Sequence, residues 1–97
     1  MKNLIIYLGG DNQTGKINRP KLRRFLMKHT PGFTLHATGH GWWKDPASGR
    51  WHNESMIKIE ITHPEDFDYI RLIVKIKTVF NQKEIGFRQE SPIIFVD

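Results

Sequence analysis

The chain contains no cysteine, which excludes a disulfide framework, a thiolate zinc site and a thiol nucleophile. It has no long apolar run either. The longest, Leu4 to Leu8, is too short to span a membrane or serve as a signal peptide, and it ends in Gly9 and Gly10 rather than a cleavage site. A cytoplasmic protein without a membrane partner is expected. Internal repeats, low-complexity tracts and linkers are absent as well. Acidic residues are few, 10 against 15 Lys and Arg, for a formal charge of +5. That balance favours anionic partners such as nucleic acid or a phosphorylated small molecule, although it also keeps a small domain soluble. Ninety-seven residues bound one domain with a modest core, a size at which oligomers often add stability.

What the chain does have is concentrated between Gly39 and Glu54, GHGWWKDPASGRWHNE. All three tryptophans (Trp42, Trp43, Trp51), His40, His52 and the carboxylate of Glu54 fall in this one stretch. It reads as a polar, glycine-punctuated connection between two apolar strands, and loops on a rigid scaffold are where small domains build ligand sites. The competing reading is a long hairpin whose indoles cover a sheet face.

In chain order, Leu4 to Leu8 predicts a buried strand. Asn18 as N-cap and Pro20 in the first turn predict a helix with Leu22, Phe25 and Leu26 on one stripe, stopped at Thr30-Pro31-Gly32. Phe33, Leu35 and Ala37, and later Ile57, Ile59 and Ile61, alternate with polar residues and predict two strands of an antiparallel hairpin with its tip at 45–49. Thr62-His63-Pro64-Glu65 has capping-box spacing and predicts a second helix running to about Phe80, its apolar face carrying Phe67, Ile70, Ile73, Val74, Ile76, Val79 and Phe80. Ile85-Gly86-Phe87 and Ile93 to Val96 supply a last strand, interrupted at Ser91-Pro92, or two short ones. The order β-α-β-β-α-β is that of an α+β, ferredoxin-like single domain over 1–97, an antiparallel sheet with two helices on one face. Its other face must stay polar, bind something or meet another subunit, and His36, Thr38, Lys58 or Glu60 are placed to line it.

Several constellations invite chemistry. Gly10-x4-Gly15-Lys16 between a strand and a helix approaches a P-loop, but Ile17 stands where a Mg²⁺-binding hydroxyl is needed. A loose anion grip by glycine-rich amides and Lys16 is the reading that survives. His36 and His40, four apart on a strand, share a face that His52 can approach. The spacing matches no known metal pattern, so solvated histidines are expected and no metal. Lys21, Arg23, Arg24 and Lys28 make a basic helix face, the ordinary state of a solvated amphipathic helix. Base-stacking aromatics of a conventional RNA-recognition domain are missing from the first and third strands, where only Tyr7 stands.

Two of these stretches resemble the phage enzymes known as SAM hydrolases, now understood as SAM lyases. One is Gly41-Trp42-Trp43 followed at the family's interval by Glu54; the other is Gln82-Lys83-Glu84 before the last strand. The family has a tyrosine hydroxyl where this chain has Trp43, and Lys83 interrupts its Gln-acid pair. The order of motifs, with Ser91-Pro92 before the last strand, is also similar to that of an uncharacterised bacterial family.

The resemblance to the lyases implies a PII-like trimer with its site at the subunit interface and no cofactor. It implies cleavage of S-adenosylmethionine (SAM), or of the SAM-AMP signal of type III CRISPR systems, into methylthioadenosine or its AMP conjugate and homoserine lactone. Glu54 and Trp43 are then the candidate catalytic residues. Candidate substrate contacts are Glu84 and Gln82 on the ribose side, Trp42 and Tyr7 as aromatics, His36 on the sheet, and Lys16 and Arg50 for phosphate. A non-catalytic nucleotide binder and a basic nucleic-acid-binding module are the alternatives.

Overall fold

The computed structural model describes residues 1–36 and 39–90. β1 (Lys2–Gly9) is the sheet's centre, and α1 (Arg19–His29) follows it. Asn18 accepts the Lys21 N–H at 3.1 Å, which satisfies an orphan donor of the first turn. At the other end the Thr30 N–H and hydroxyl both donate to the Leu26 carbonyl, at 3.0 and 2.8 Å. β2 (Thr34–Leu35), β3 (Gly39–Lys44) and β4 (Trp51–His63) come next, then α2 (Tyr69–Val79) and β5 (Gly86–Glu90).

The sheet runs β2-β4-β1-β5, all antiparallel, with β3 paired to the outer half of β4. This is the ferredoxin-like arrangement expected from the element order, and it makes the chain a small α+β domain. Leu4, Ile6 and Leu8 of β1 and Ile57, Ile59 and Ile61 of β4 point to the helices. There they meet Leu22 and Leu26 of α1 and Leu72, Ile73, Ile76 and Phe80 of α2 in one buried cluster.

Three sequence expectations need correction. The tryptophan stretch is no loop: β3 and the outer part of β4 extend the sheet as a hairpin arm, with only the predicted tip turning. Asp45 closes that tip by accepting the Ala47 N–H at 2.9 Å and the Ser48 hydroxyl at 3.0 Å. The capping box at Thr62 does not start a helix, because Thr62 and His63 are still paired with Asn3 and Lys2 of β1, so their backbone groups need no cap. Asp68 caps α2 instead, accepting the Arg71 N–H at 3.1 Å. The face of α2 is also narrower than predicted. Leu72 joins the core, whereas Ile70, Val74 and Val79 are exposed. The expected strand residues Ala37 and Ile93 to Val96, the interruption at Ser91-Pro92, and Thr38 lie outside the described residues.

The fourth difference is one of register. Thr34 of β2 faces Glu60 and Gly39 of β3 faces Met56, so the first two positions are five apart in the chain where their partners on β4 are four apart. A one-residue offset of this kind inverts the alternation of everything beyond it. His36 therefore shares the helix-free face with Glu60, while His40 falls on the opposite face, beside Asn53 at 3.1 Å. The predicted shared face of His36 and His40 does not form.

Candidate functional site

The helix-free face carries a cleft of about 930 Å³ where β1, β4, β3 and the start of β5 converge. Register explains its composition. Gly9 of β1 lies opposite Met56, Tyr7 lies between Lys58 and Gly86, Gly41 faces Glu54, and Trp43 faces His52. Each glycine opens space for a neighbour. A side chain at Gly9 would run into the Glu54 carboxylate, and one at Gly41 would run into the Met56 sulfur. Glu54 thus leans across Gly9, and Met56 fills the notch at Gly41.

Trp43 forms the outer wall, stacked on His52 with ring centroids 4.4 Å apart and planes inclined by 18°. The other wall is the segment 82–86, with Gln82, Lys83 and Glu84 in chain order. Gln82 is occupied by the backbone. Its oxygen accepts the Gly9 N–H at 3.2 Å, and its nitrogen lies 3.1 Å from the Gly9 carbonyl, 3.2 Å from Gly10 and 3.0 Å from Phe80. It clamps the end of β1 to the segment after α2 rather than offering a free amide to a ligand.

The loop after Gly10 is fixed by a second set of bonds. The Asp11 carboxylate accepts N–H groups of Gln13 at 2.7 Å and Thr14 at 3.2 Å, and the Asn81 amide at 3.1 Å. The two backbone bonds, with the Asn81 amide and the nearby Lys21 charge, hold its pKa below the ordinary value despite a smaller opposing effect of desolvation. The Asn12 N–H in turn donates to the Asn81 carbonyl at 2.9 Å, and Asn12 lines the cleft.

Five of the residues singled out in the sequence meet in this cleft: Glu54, Trp43, Glu84, Gln82 and Tyr7. Four do not. Trp42 sits on the opposite face of the hairpin, paired with Asn53. His36 shares the cleft's face but is engaged farther along it, its Nε2 2.7 Å from Glu60 and off hydrogen-bond alignment. Burial works against ionisation of Glu60, but Lys58 and His36 outweigh it and hold the pKa below the carboxylate norm. Lys16 lines a separate cavity of about 420 Å³ with Lys21, Asp11 and Phe80. Arg50 ends the hairpin turn, its carbonyl accepting the Asp45 N–H at 2.8 Å.

Sequence reasoning passed over Met56, Asn12 and Gly9. Met56 and Gly9 were hidden because their role follows from cross-strand pairing; the Gly9-Gly10 pair was the one local signal available. Among the described residues no three His, Asp or Glu side chains gather as a metal site, and no helix is long and apolar enough to cross a membrane.

No protein-family profile and no curated protein sequence matches the chain. Solved structures do. A phage SAM lyase in complex with S-methyl-5'-thioadenosine superposes with a TM-score of 0.64 at 11% identity, over 92% of this chain and 79% of the lyase. CutA from Pyrococcus horikoshii gives 0.62 at 14% identity, over 97% and 87%. A DUF3240 family protein from Shewanella baltica gives 0.53 at 13% identity, over 99% and 92%. Likeness at these identities establishes the fold, of the PII-like kind that CutA shows, and leaves activity to the residues of the cleft.

Proposed function

We propose that the chain is a lyase that breaks the carbon-sulfur bond of SAM, or of its AMP conjugate, in the cleft between Trp43 and Glu84. The observation that carries this reading is the meeting of Glu54, Trp43, Tyr7 and Glu84 in one cleft, on a fold shared with a lyase solved with methylthioadenosine.

In this reading a carboxylate oxygen of the substrate attacks its own γ-carbon. The C–S bond breaks and its electron pair stays on sulfur, giving neutral methylthioadenosine and homoserine lactone. No proton has to move, so the protein supplies orientation and a dry setting. Carboxylate and sulfonium charges vanish together, and water stabilises the charged reactant more than the transition state.

Glu54, held over Gly9, orients the substrate ammonium or a ribose hydroxyl; Glu84 takes the second polar contact. Trp43 and Tyr7 offer ring faces to the sulfonium or the adenine. Gln82 acts indirectly, by fixing the Gly9-Gly10 backbone on which Glu54 rests. The side chains of Glu54, Trp43 and Glu84 are exposed in the single chain. A homotrimer in which a neighbouring subunit covers this face would exclude the water that opposes the reaction. Between the two substrates, the cleft favours SAM itself: among the described residues Lys83 is its only cationic lining residue, and Lys16 and Arg50 lie elsewhere.

The test is incubation of the purified protein with SAM and, separately, with SAM-AMP, followed by mass spectrometry. Methylthioadenosine or its AMP conjugate with homoserine lactone is expected, and Glu54→Gln should slow turnover on the order of 100-fold. Intact ligand after long incubation would remove the lyase reading; tight binding without products would make the chain a nucleotide binder. Unchanged binding and turnover in Glu54→Gln would show that the site is misassigned.

A further inference from the structure

The cleft uses one tryptophan of three. Trp42 and Trp51 lie on the other face of the hairpin, and each is 64% exposed. Trp42 pairs with Asn53 and Lys44 pairs with Trp51, so the two indoles are diagonal neighbours on one side of a two-stranded arm. By strand alternation this side continues the face that carries the helices. It has already left them behind, because every β4 residue from Trp51 to Ser55 is exposed and burial begins only near Ile57. Neither ring stacks on another aromatic among the described residues. Burial in the core does not account for these two indoles, and the cleft does not either.

The charge beside them is positive. Lys44 stands opposite Trp51, and His40, Asn53 and Ser55 complete the face toward the body of the sheet; Arg50, bonded opposite Asp45 at the turn, alternates to the other side. The register sends Glu54, the one acid of the arm's strands, to the opposite side. Asp45 at the tip is consumed by the turn, and no ion pair to Lys44 or Arg50 forms among the described residues. Two open ring faces beside a cation that lacks an acidic partner match a flexible polyanion carrying flat bases. An acidic peptide would meet the cation but not both ring faces, and a second copy of this chain, at a formal +5, would bring like charge to it.

We propose that the Trp42/Trp51 face of the hairpin binds single-stranded nucleic acid, the two indoles stacking on bases while Lys44 contacts the intervening phosphate. Stacking on aromatic side chains tolerates any sequence, since every base has a ring face, and it requires the bases to be unpaired. The site is independent of the proposed lyase reaction. It faces away from Trp43 and Glu54.

Fluorescence anisotropy with labelled oligo(dT) and oligo(U) of about 12 nucleotides, within the usual footprint of such sites, tests the idea on the full chain. Binding is expected to weaken with salt with a log-log slope near −0.7, as about one phosphate contact on a single strand predicts. Trp42→Ala and Trp51→Ala should each weaken it about tenfold or more, while Trp43→Ala, on the other face, should leave it unchanged. Duplex DNA of the same length should bind more weakly. Retention of the two oligomers by Trp42→Ala/Trp51→Ala, or no binding at low salt, would overturn the proposal. Light scattering on the same variants supplies the remaining arm. If the wild-type chain is an oligomer that the double variant dissociates, the face is a subunit contact and the proposal fails. Preference between the two oligonucleotides would identify DNA or RNA as the source.

Discussion

The side-chain amide of Gln82 grips Gly9 on both sides of its Cα, accepting its N–H at 3.2 Å and approaching its carbonyl at 3.1 Å. The last residue of β1 is thereby bonded to a segment 73 positions later in the chain, and the cleft forms where the two meet.

Replacing Gln82 by Leu keeps most of the volume but strands a partly buried N–H and several carbonyls. A loss of about 1–3 kcal/mol is expected, the usual cost of leaving a buried polar group unpaired. Urea denaturation of the two proteins measures it. A change within about 0.5 kcal/mol, typical of a surface position, would show that the clamp is replaceable by water.

Gly9 and Gly10 should respond differently to alanine. The new methyl at Gly9 meets the end of a movable side chain, the Glu54 carboxylate, whereas at Gly10 it meets the backbone of Gly15. Gly10→Ala should therefore cost about 1–3 kcal/mol of stability, as overpacking against a fixed neighbour does. Gly9→Ala should fold nearly normally and instead weaken SAM binding in the cleft. Thermal melts and a SAM titration separate the two outcomes.

The face of α2 can be checked by a pair of substitutions. Ile73 is 6% exposed and Ile70 is 50% exposed, one turn apart. Ile73→Ala is expected to cost about 2–5 kcal/mol, and Ile70→Ala no more than about 0.5 kcal/mol. Equal losses would mean that something covers Ile70.

Asp11 predicts an acid dependence. Its backbone partners Gln13 and Thr14, with Asn81 and Lys21, lower the folded pKa below the ordinary 3.8. A lowered folded value stabilises the fold above the unfolded pKa and loses that contribution as the pH falls through the folded one. The gap in denaturation midpoint between wild type and Asp11→Ala should thus be full at neutral pH. It should shrink only below the ordinary value of 3.8. A gap independent of pH would mean that the carboxylate's charge contributes nothing there.

Much of the fold was legible because it depends on neighbours in sequence. The alternation of Ile57, Ile59 and Ile61, the Asn18 cap, the Leu22/Leu26 stripe and the turn at Asp45 to Gly49 all act within a few residues, and all four stand as the sequence indicates. The start of α2 was misread for a long-range reason. Thr62 and His63 satisfy a local helix signal, but pairing with β1 takes their backbone first. The gathering of Glu54, Gln82, Glu84 and Tyr7 at one end of the sheet follows from that same strand order, whereas Trp43 joins them through the register of β3.

The sequence by itself determined the order β-α-β-β-α-β, and with it an antiparallel sheet with helices on one face; that β2 and β3 are separate strands, giving five among the described residues, was decided by the tertiary structure. Which tryptophan faces the cleft was decided elsewhere. Plain alternation from His36 assigns His40 and Trp42 to one face; the one-residue shift between β2 and β3 turns Trp43 and Gly41 to that face and sends Trp42 away. Side-chain direction in a strand has a period of two, so a one-residue offset in register reverses it. That offset is set by how β2 and β3 each pair with β4, which is a property of the assembled sheet.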